Sequence, residues 1–333
     1  MTDFGPLEPL LQDPTVMEIM VNRYDQIYVE RRGKLEQVAD TFRDEAHLMQ
    51  IVMDGLVTPL GRKLDESNPM VDLRFPDGSR CHVVIPPIAR HGISIVVRKL
   101  PAHLLTGEDL LRFGALNQTM LDFLRDCVEK RLNIAVSGGT GSGKTTVLNI
   151  MCGFIPDDER IVTVENEIEL RFDKPHLVVL ETRPANVEGR GEINAQQLMI
   201  SSMKMRPDRI IMGEARGGEV VELIQAINTG FDGALFSMHA GSPRDALIRL
   251  EVMATMGMPQ IPLLSIRQQL ATGVDLIVHS ERLMTGVRRL VKITQVTGIQ
   301  DGIITTQDIF EFVQTGMQDG KIIGDFRQVG ELV

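Results

Sequence analysis

Apolar residues along this chain fall into two regimes. Up to about residue 100 they form short alternating runs and helical stretches; beyond about 116 short continuous apolar runs alternate with helical patterns. In the first regime Leu10, Leu11, Val16, Ile19 and Met20 recur at helical spacing around Pro14, which predicts a short helix over 9–20, broken and restarted. Residues 26–30 alternate like a strand, and Arg32-Gly33-Lys34 turns that strand into a hairpin. Leu48, Ile51, Val52 and Leu56 predict a helix over 45–60, and strands are expected over 80–85 and 92–98, flanking a turn at Pro86-Pro87. Pro76-Asp77-Gly78 is a turn signal between strands. The first 100 residues therefore read as a mixed α/β domain.

Residues 101–115 are punctuated by Pro and Gly but carry Leu104, Leu105, Leu110 and Leu111, so they read as a packed interdomain linker. Leu116, Met120, Leu124, Cys127 and Val128 then outline a helix that ends before an apolar strand over 132–136. Further strands are expected over 161–164, 177–180, 209–212, 234–237 and 275–279, with helices between them. This alternation predicts a parallel, doubly wound α/β domain over 116–333.

Composition narrows the partners. The chain of 333 residues carries 45 acidic and 35 basic side chains, a net charge of -10, with no long Lys/Arg run. A protein whose affinity must come from neutralising phosphate backbones would be built otherwise, so no nucleic-acid partner is expected. Cys81, Cys127 and Cys152 lack metal-ligand spacing and read as free thiols of a reducing cytosol. No window approaches the roughly 20 apolar residues that span a bilayer, and no signal peptide is visible. Contact with a membrane is expected only through partners.

The strand over 132–136 runs into Gly138-Gly139-Thr140-Gly141-Ser142-Gly143-Lys144-Thr145, which fits G-x-x-x-x-G-K-[ST], and a helical pattern follows from Thr146. Glycine belongs there because the backbone must wrap closely around a phosphate, with N–H groups turned inward. The following helix N-terminus adds partial positive charge. Lys144 supplies a compact cation for β- and γ-phosphates, and the Thr145 hydroxyl is placed to ligand Mg²⁺. ATP and Mg²⁺ are the expected cofactors.

A nucleoside triphosphatase also needs a second group near the metal and a group to orient water. The strand 209–212 leads to Gly213-Glu214; Gly213 cannot hold a metal, so Glu214 is the candidate. Strand 161–164 leads to Glu165, a second catalytic or Mg²⁺-binding carboxylate at the sheet edge where such domains build their sites. His239 likewise ends a strand, and by itself it reads equally well as structural or functional.

Together these residues resemble the secretion-traffic ATPases of type II secretion, type IV pili and type IV secretion, in particular the CpaF/TadA type of the Tad/Flp pilus. The resemblance rests on the phosphate loop, on Val162-Thr163-Val164-Glu165, on the stretch from Met205-Arg206-Pro207-Asp208 to Gly213-Glu214-Ala215-Arg216, and on Thr229-Gly230-Phe231-Asp232-Gly233 through Ser237-Met238-His239-Ala240. The subtype rests on Glu18-Ile19-Met20-Val21-Asn22, Asp65-Glu66-Ser67-Asn68-Pro69-Met70-Val71-Asp72, Glu181-Thr182-Arg183-Pro184 and Ile304-Thr305-Thr306-Gln307-Asp308-Ile309-Phe310. The resemblance implies a RecA-like P-loop ATPase domain behind a smaller α/β, PAS-like N-terminal domain. It also implies a cytoplasmic homohexamer that drives polytopic inner-membrane pilus platform proteins, and Arg98, with Arg80 as a second candidate, contacting nucleotide from the N-terminal domain. A type IV secretion or conjugation ATPase is the alternative. Two family positions lose an ionisable group here, at Asn166 and Phe231, while Glu165, Glu214 and His239 are kept and imply an active enzyme.

Overall fold

The computed structural model describes residues 4–31, 34–75, 77–100, 104–186, 189–318 and 321–332. The chain divides into two compact units, Met1–Leu104 and Leu105–Val333.

In the first unit a 3₁₀ turn leads into helix α1 (Glu8–Gln12), followed by strands β1 (Val16–Arg23), β2 (Gln26–Arg31) and β3 (Lys34–Val38). Helix α2 (Glu45–Ile51), capped by Asp44, continues into a wider π-helical turn over Val52–Val57; β4 (Met70–Arg74), β5 (Arg80–Val84) and β6 (Ser94–Arg98) complete the unit. The strands form one antiparallel sheet in the order β3-β2-β1-β6-β5-β4. Its inner face buries Ile19, Val21, Ile27, Val29, Val83, Ile95 and Val97 with Leu48 and Val52.

The helix expected over 9–20 survives only as α1, and its predicted restart is strand β1. The positions of Val16 and Ile19 suit a helical stripe, but β1 lies between β2 and β6 and both its edges are paired, so the sheet decides the outcome over local periodicity. Strand β4 is the strand that the turn signal at 76–78 implied without giving its range. The turn residues Arg32, Gly33 and Pro76 lie outside the described residues; on either side, Arg31 pairs with Lys34, and Phe75 N–H donates to Ser79 O at 2.8 Å.

The second unit opens with α3 (Gly107–Arg112), held by a reciprocal cap between Thr106 and Asp109, and α4 (Gln118–Glu129). Leu110, Ala115 and Leu116 are buried in this unit's core, so 105–115 pack as part of the second unit. Then come β7 (Ile134–Gly138), α5 (Lys144–Gly153), β8 (Ile161–Glu165), β9 (Leu177–Glu181), α6 (Ala195–Met203), β10 (Arg209–Ala215), α7 (Val220–Asn228), β11 (Leu235–His239), α8 (Pro243–Gly257) and α9 (Leu263–Gly273). The chain ends in β12 (Leu276–Arg282), β13 (Arg288–Gln300), β14 (Ile303–Gln318) and β15 (Lys321–Gln328).

The sheet order is β15-β14-β13-β12-β7-β11-β10-β8-β9. From β12 to β9 neighbours run parallel; from β12 to β15 they run antiparallel. The expected parallel sheet is present from β12 to β9, and an antiparallel extension not expected from the sequence makes the whole sheet mixed. Short connections force the change, because parallel strands need a long crossover whereas hairpins close at once. Asp301-Gly302, with φ of 52° and 75°, makes the β13–β14 turn, and this pair is a strong hairpin signal that the reading of the sequence passed over. Central strand β7 is buried on both faces: Ile134 and Val136 face the core under α4 and α5, while Ala135 faces the core built by α7, α8 and α9.

Candidate active site

The phosphate loop leaves the C-terminal end of β7 between β11 and β12, where Gly138 is in register with His239 on one side and Ser280 on the other. Gly141 (φ 70°) and Gly143 (φ 98°) hold left-handed conformations that a side chain would strain, and Gly143 is the N-cap of α5. The loop is therefore set in the shape that turns backbone N–H groups toward an anion at a helix N-terminus.

Lys144, on the first turn of α5, is largely buried; its Nζ donates to Gly139 O at 2.9 Å and lies 3.4 Å from His239 Nδ1. Burial lowers its pKa, and the carboxylates of Glu214 and Glu169 oppose that shift. His239 Nε2 lies 3.0 Å from Glu214 Oε1, and Arg216 Nη2 lies 2.8 Å from Glu214 Oε2. Burial, and then the Lys144 ammonium, push the His239 pKa below its ordinary value. A neighbouring carboxylate would by itself raise it, but a proton on Nδ1 would face an ammonium directly. His239 is thus a neutral imidazole that accepts from Lys144 at Nδ1 and donates to Glu214 from Nε2. Lys144, His239, Glu214 and Arg216 form one chain of polar contacts, drawn from α5, β11, β10 and the residue that follows β10. His239 also lines a cleft of about 550 Å³ with Gly139, Thr140, Ala240, Gly241 and Arg249.

Glu165 sits differently. Its Oε2 accepts the backbone N–H groups of Glu169 (2.8 Å) and Leu170 (2.9 Å), while Oε1 is buried without a hydrogen-bond partner. Burial raises its pKa to about 7. The loop it holds presents Glu169, whose Oε2 accepts from the Thr145 hydroxyl at 3.1 Å. The structure thus brings Glu169, which the sequence reading had not singled out, to Thr145, and sets Glu165 one step behind. The signal lay in the spacing: four residues after a strand-end carboxylate, one loop turn returns a second one to the same edge. Gly213 acquires a reason as well, since a Cβ there would lie 2.8 Å from Glu165 Cγ. Arg216 was likewise missed as a site residue.

At the two positions where the resemblance implies the loss of an ionisable group, the backbone carbonyl of Asn166 accepts from the Thr182 hydroxyl at 2.8 Å, a bond independent of the side chain at 166, and Phe231 packs against the core of the α7–α9 layer. Thr146 follows Thr145 on α5 and is half-buried.

In the first unit, Arg80 is the register partner of Arg98, Arg74 is the partner of Arg80, and Arg98 in turn faces Glu18. Three arginines therefore share one level of one sheet face.

The family model for type II/IV secretion system proteins matches residues 1–318. The chain belongs to the type II/IV secretion ATPase superfamily. Among the relatives of this secretion ATPase, a putative conjugal transfer protein of Mycobacterium tuberculosis is 37% identical over 299 residues, covering 88% of this chain and 84% of that protein. The type IV secretion system protein VirB11 of Brucella suis is 32% identical over 303 residues, covering 82% and 83%. Among solved structures, the pilus retraction motor PilT with bound ADP superposes with a TM-score of 0.63 at 20% identity, covering 84% of this chain and 78% of that one. That similarity shows the fold: a RecA-like ATPase domain behind an N-terminal α/β domain. Among the described residues no helix is long and apolar enough to cross a membrane.

Proposed function

We propose that this secretion ATPase is the ATP-hydrolysing motor of a Tad/Flp pilus, working as a homohexamer on the cytoplasmic face of the inner membrane against polytopic platform proteins. The observation that carries hydrolysis is the polar chain Lys144–His239–Glu214–Arg216 at the mouth of the phosphate loop. It supplies a cation for the phosphates and a carboxylate whose orientation is fixed by two donors. Glu214 is the group assigned to orienting water and accepting its proton.

Mg²⁺ fits the residues present: the Thr145 hydroxyl and Glu169 carboxylate are hard oxygen donors that already touch. Among the described residues no three His, Cys, Asp or Glu side chains form a metal cage of their own, so the ion would be held jointly with phosphates. When bound, it neutralises phosphate charge. Glu165 supports this arrangement by holding the loop that carries Glu169. Arg98 and Arg80 are assigned to the nucleotide on the family resemblance.

The pilus assignment rests on the subtype segments of the sequence, such as Asp65-Glu66-Ser67-Asn68-Pro69 and Glu181-Thr182-Arg183-Pro184. A second reading, a conjugation or type IV secretion ATPase, draws support from the two relatives whose names describe those processes. Phosphate release by the purified chain tests the chemistry; no release above the Lys144→Ala background would leave only a nucleotide-gated scaffold. Deleting the gene separates the machines: loss of surface pili supports the first reading, whereas loss of DNA or protein transfer with pili intact supports the second. Stimulation of turnover by single-stranded DNA would overturn the expectation of no nucleic-acid partner.

A further inference from the structure

We infer that Arg288, on the β12–β13 hairpin, is a positioning residue for the nucleotide: it fastens the outer side of the phosphate loop and keeps that loop in its binding shape before nucleotide arrives. The inference rests on the reading of 138–145 as the nucleotide site.

The loop can be held from within or from outside. From within, Lys144 Nζ reaches Gly139 O at 2.9 Å. From outside, the hairpin meets it at successive points. Ser280 Oγ lies 3.0 Å from Ser142 Oγ, and the Ser280 backbone lies so close to Gly138 that a Cβ there would overlap it. Arg288 Nε donates to Gly141 O at 2.8 Å, and the Arg288 stem passes 3.4 Å from the place a Cβ would take at Gly143. Its side chain thus lies along the loop from Gly143 to Gly141. Arg288 is itself set in place by β-sheet register: it pairs with Arg282, and β12 pairs Ser280 with Gly138 of β7. The turn is closed by Leu283 N–H to Val287 O at 2.8 Å.

A loop with glycine at 138, 139, 141 and 143 is costly to order, since glycine loses more conformational freedom than any other residue. Backbone N–H groups that point inward leave carbonyls pointing outward. A donor on the Gly141 carbonyl fixes that peptide and, with it, the orientation of its neighbours. Ordering completed in the free protein is not charged against binding. A surface arginine with an incidental contact would leave nucleotide affinity untouched, and this difference is measurable.

The experiment compares Arg288→Met, which keeps the stem and loses the donor, with Arg288→Lys, which keeps a donor able to reach the carbonyl. The readouts are MgADP titration calorimetry, steady-state ATPase kinetics and thermal melting of the full chain. Arg288→Met is expected to weaken ADP binding and raise KM roughly fivefold to tenfold, the effect of losing one exposed charge-assisted hydrogen bond. The change in kcat should be smaller than the change in KM, and melting without nucleotide should match the wild type. Arg288→Lys should restore most of the affinity. Wild-type Kd and KM in Arg288→Met would overturn the inference, as would a loss of affinity explained by a fall in melting temperature. Lys144→Ala keeps two failures apart: if that variant binds ADP like the wild type, the reading of the loop itself is wrong, whatever Arg288 does.

Discussion

Lys144 Nζ and His239 Nδ1 lie 3.4 Å apart, joining the first turn of α5 to the last residue of β11. This contact requires a lone pair on Nδ1 and hence a neutral imidazole. Its pKa is held below the ordinary 6.5, so the folded protein resists a proton that the unfolded chain accepts. The stabilising contribution is complete above 6.5 and is lost as pH falls below it. Turnover should fall on the acid side with an apparent pKa below 6.5, as protonated His239 drives Lys144 from the phosphates. In His239→Ala the turnover at neutral pH should drop more than nucleotide affinity does, and the acid limb should disappear. A pH–rate profile identical in both proteins would show that His239 is structural.

Lys144→Ala and Glu214→Gln should separate binding from chemistry. The first removes the cation from a largely buried site and should weaken nucleotide binding and abolish turnover, by about a hundredfold or more. The second keeps shape and a hydrogen-bonding oxygen but removes the base, so ATP should bind and remain unhydrolysed, with turnover down by about a hundredfold or more. Filter binding of labelled ATP beside phosphate release reads both; equal loss of binding in the two variants would make Glu214 a structural residue.

Glu169→Gln should raise the Mg²⁺ concentration needed for half-maximal turnover, because it removes the charge beside Thr145. Melting temperature should change little. A magnesium titration that coincides with the wild type would remove Glu169 from the metal site.

Glu165 gives a stability test with a defined pH window. Its folded pKa lies at about 7 against an ordinary 4.5, so the protein loses stability as pH rises through that interval and the buried group ionises. Glu165→Gln can still accept the two backbone N–H groups and carries no charge, so its melting temperature relative to the wild type should climb as pH rises from 4.5 to about 7. A constant difference would refute the assignment. Gly213→Ala should cost about 1–3 kcal/mol by forcing Glu165 aside, read from denaturant unfolding at fixed pH.

Arg98→Ala should lower turnover about tenfold or more with the circular dichroism spectrum unchanged, and Arg98→Lys should rescue poorly, because a point charge does not reproduce the planar fork. Wild-type turnover at saturating ATP would leave the arginine row on β4, β5 and β6 without a role in the chemistry.

What was legible in the sequence is local. The phosphate loop, the carboxylate near the end of β10 and the histidine that ends β11 are each announced by a short contiguous run, because strand, turn and helix signals lie within a few residues of the group they position. For the same reason the restart predicted after Pro14 failed: residues 16–20 fit two periodicities, and only pairing of β1 with β2 and β6 selected the strand. The antiparallel end of the sheet was announced by Asp301-Gly302, a local signal that went unread.

Sequence by itself marked Lys144, Glu214 and His239 as candidates, since each lies in or beside a short motif, but it did not mark Glu169 or Arg216. Tertiary structure alone decided their wiring. That Thr145 meets Glu169 and not Glu165, that His239 stands between Lys144 and Glu214, and that Arg288 holds Gly141 are all consequences of sheet order, which sets strands distant along the chain side by side. Periodicity states which face a side chain takes on its own strand; the neighbour across the sheet is chosen by the burial of the whole core, a property no short stretch of chain carries.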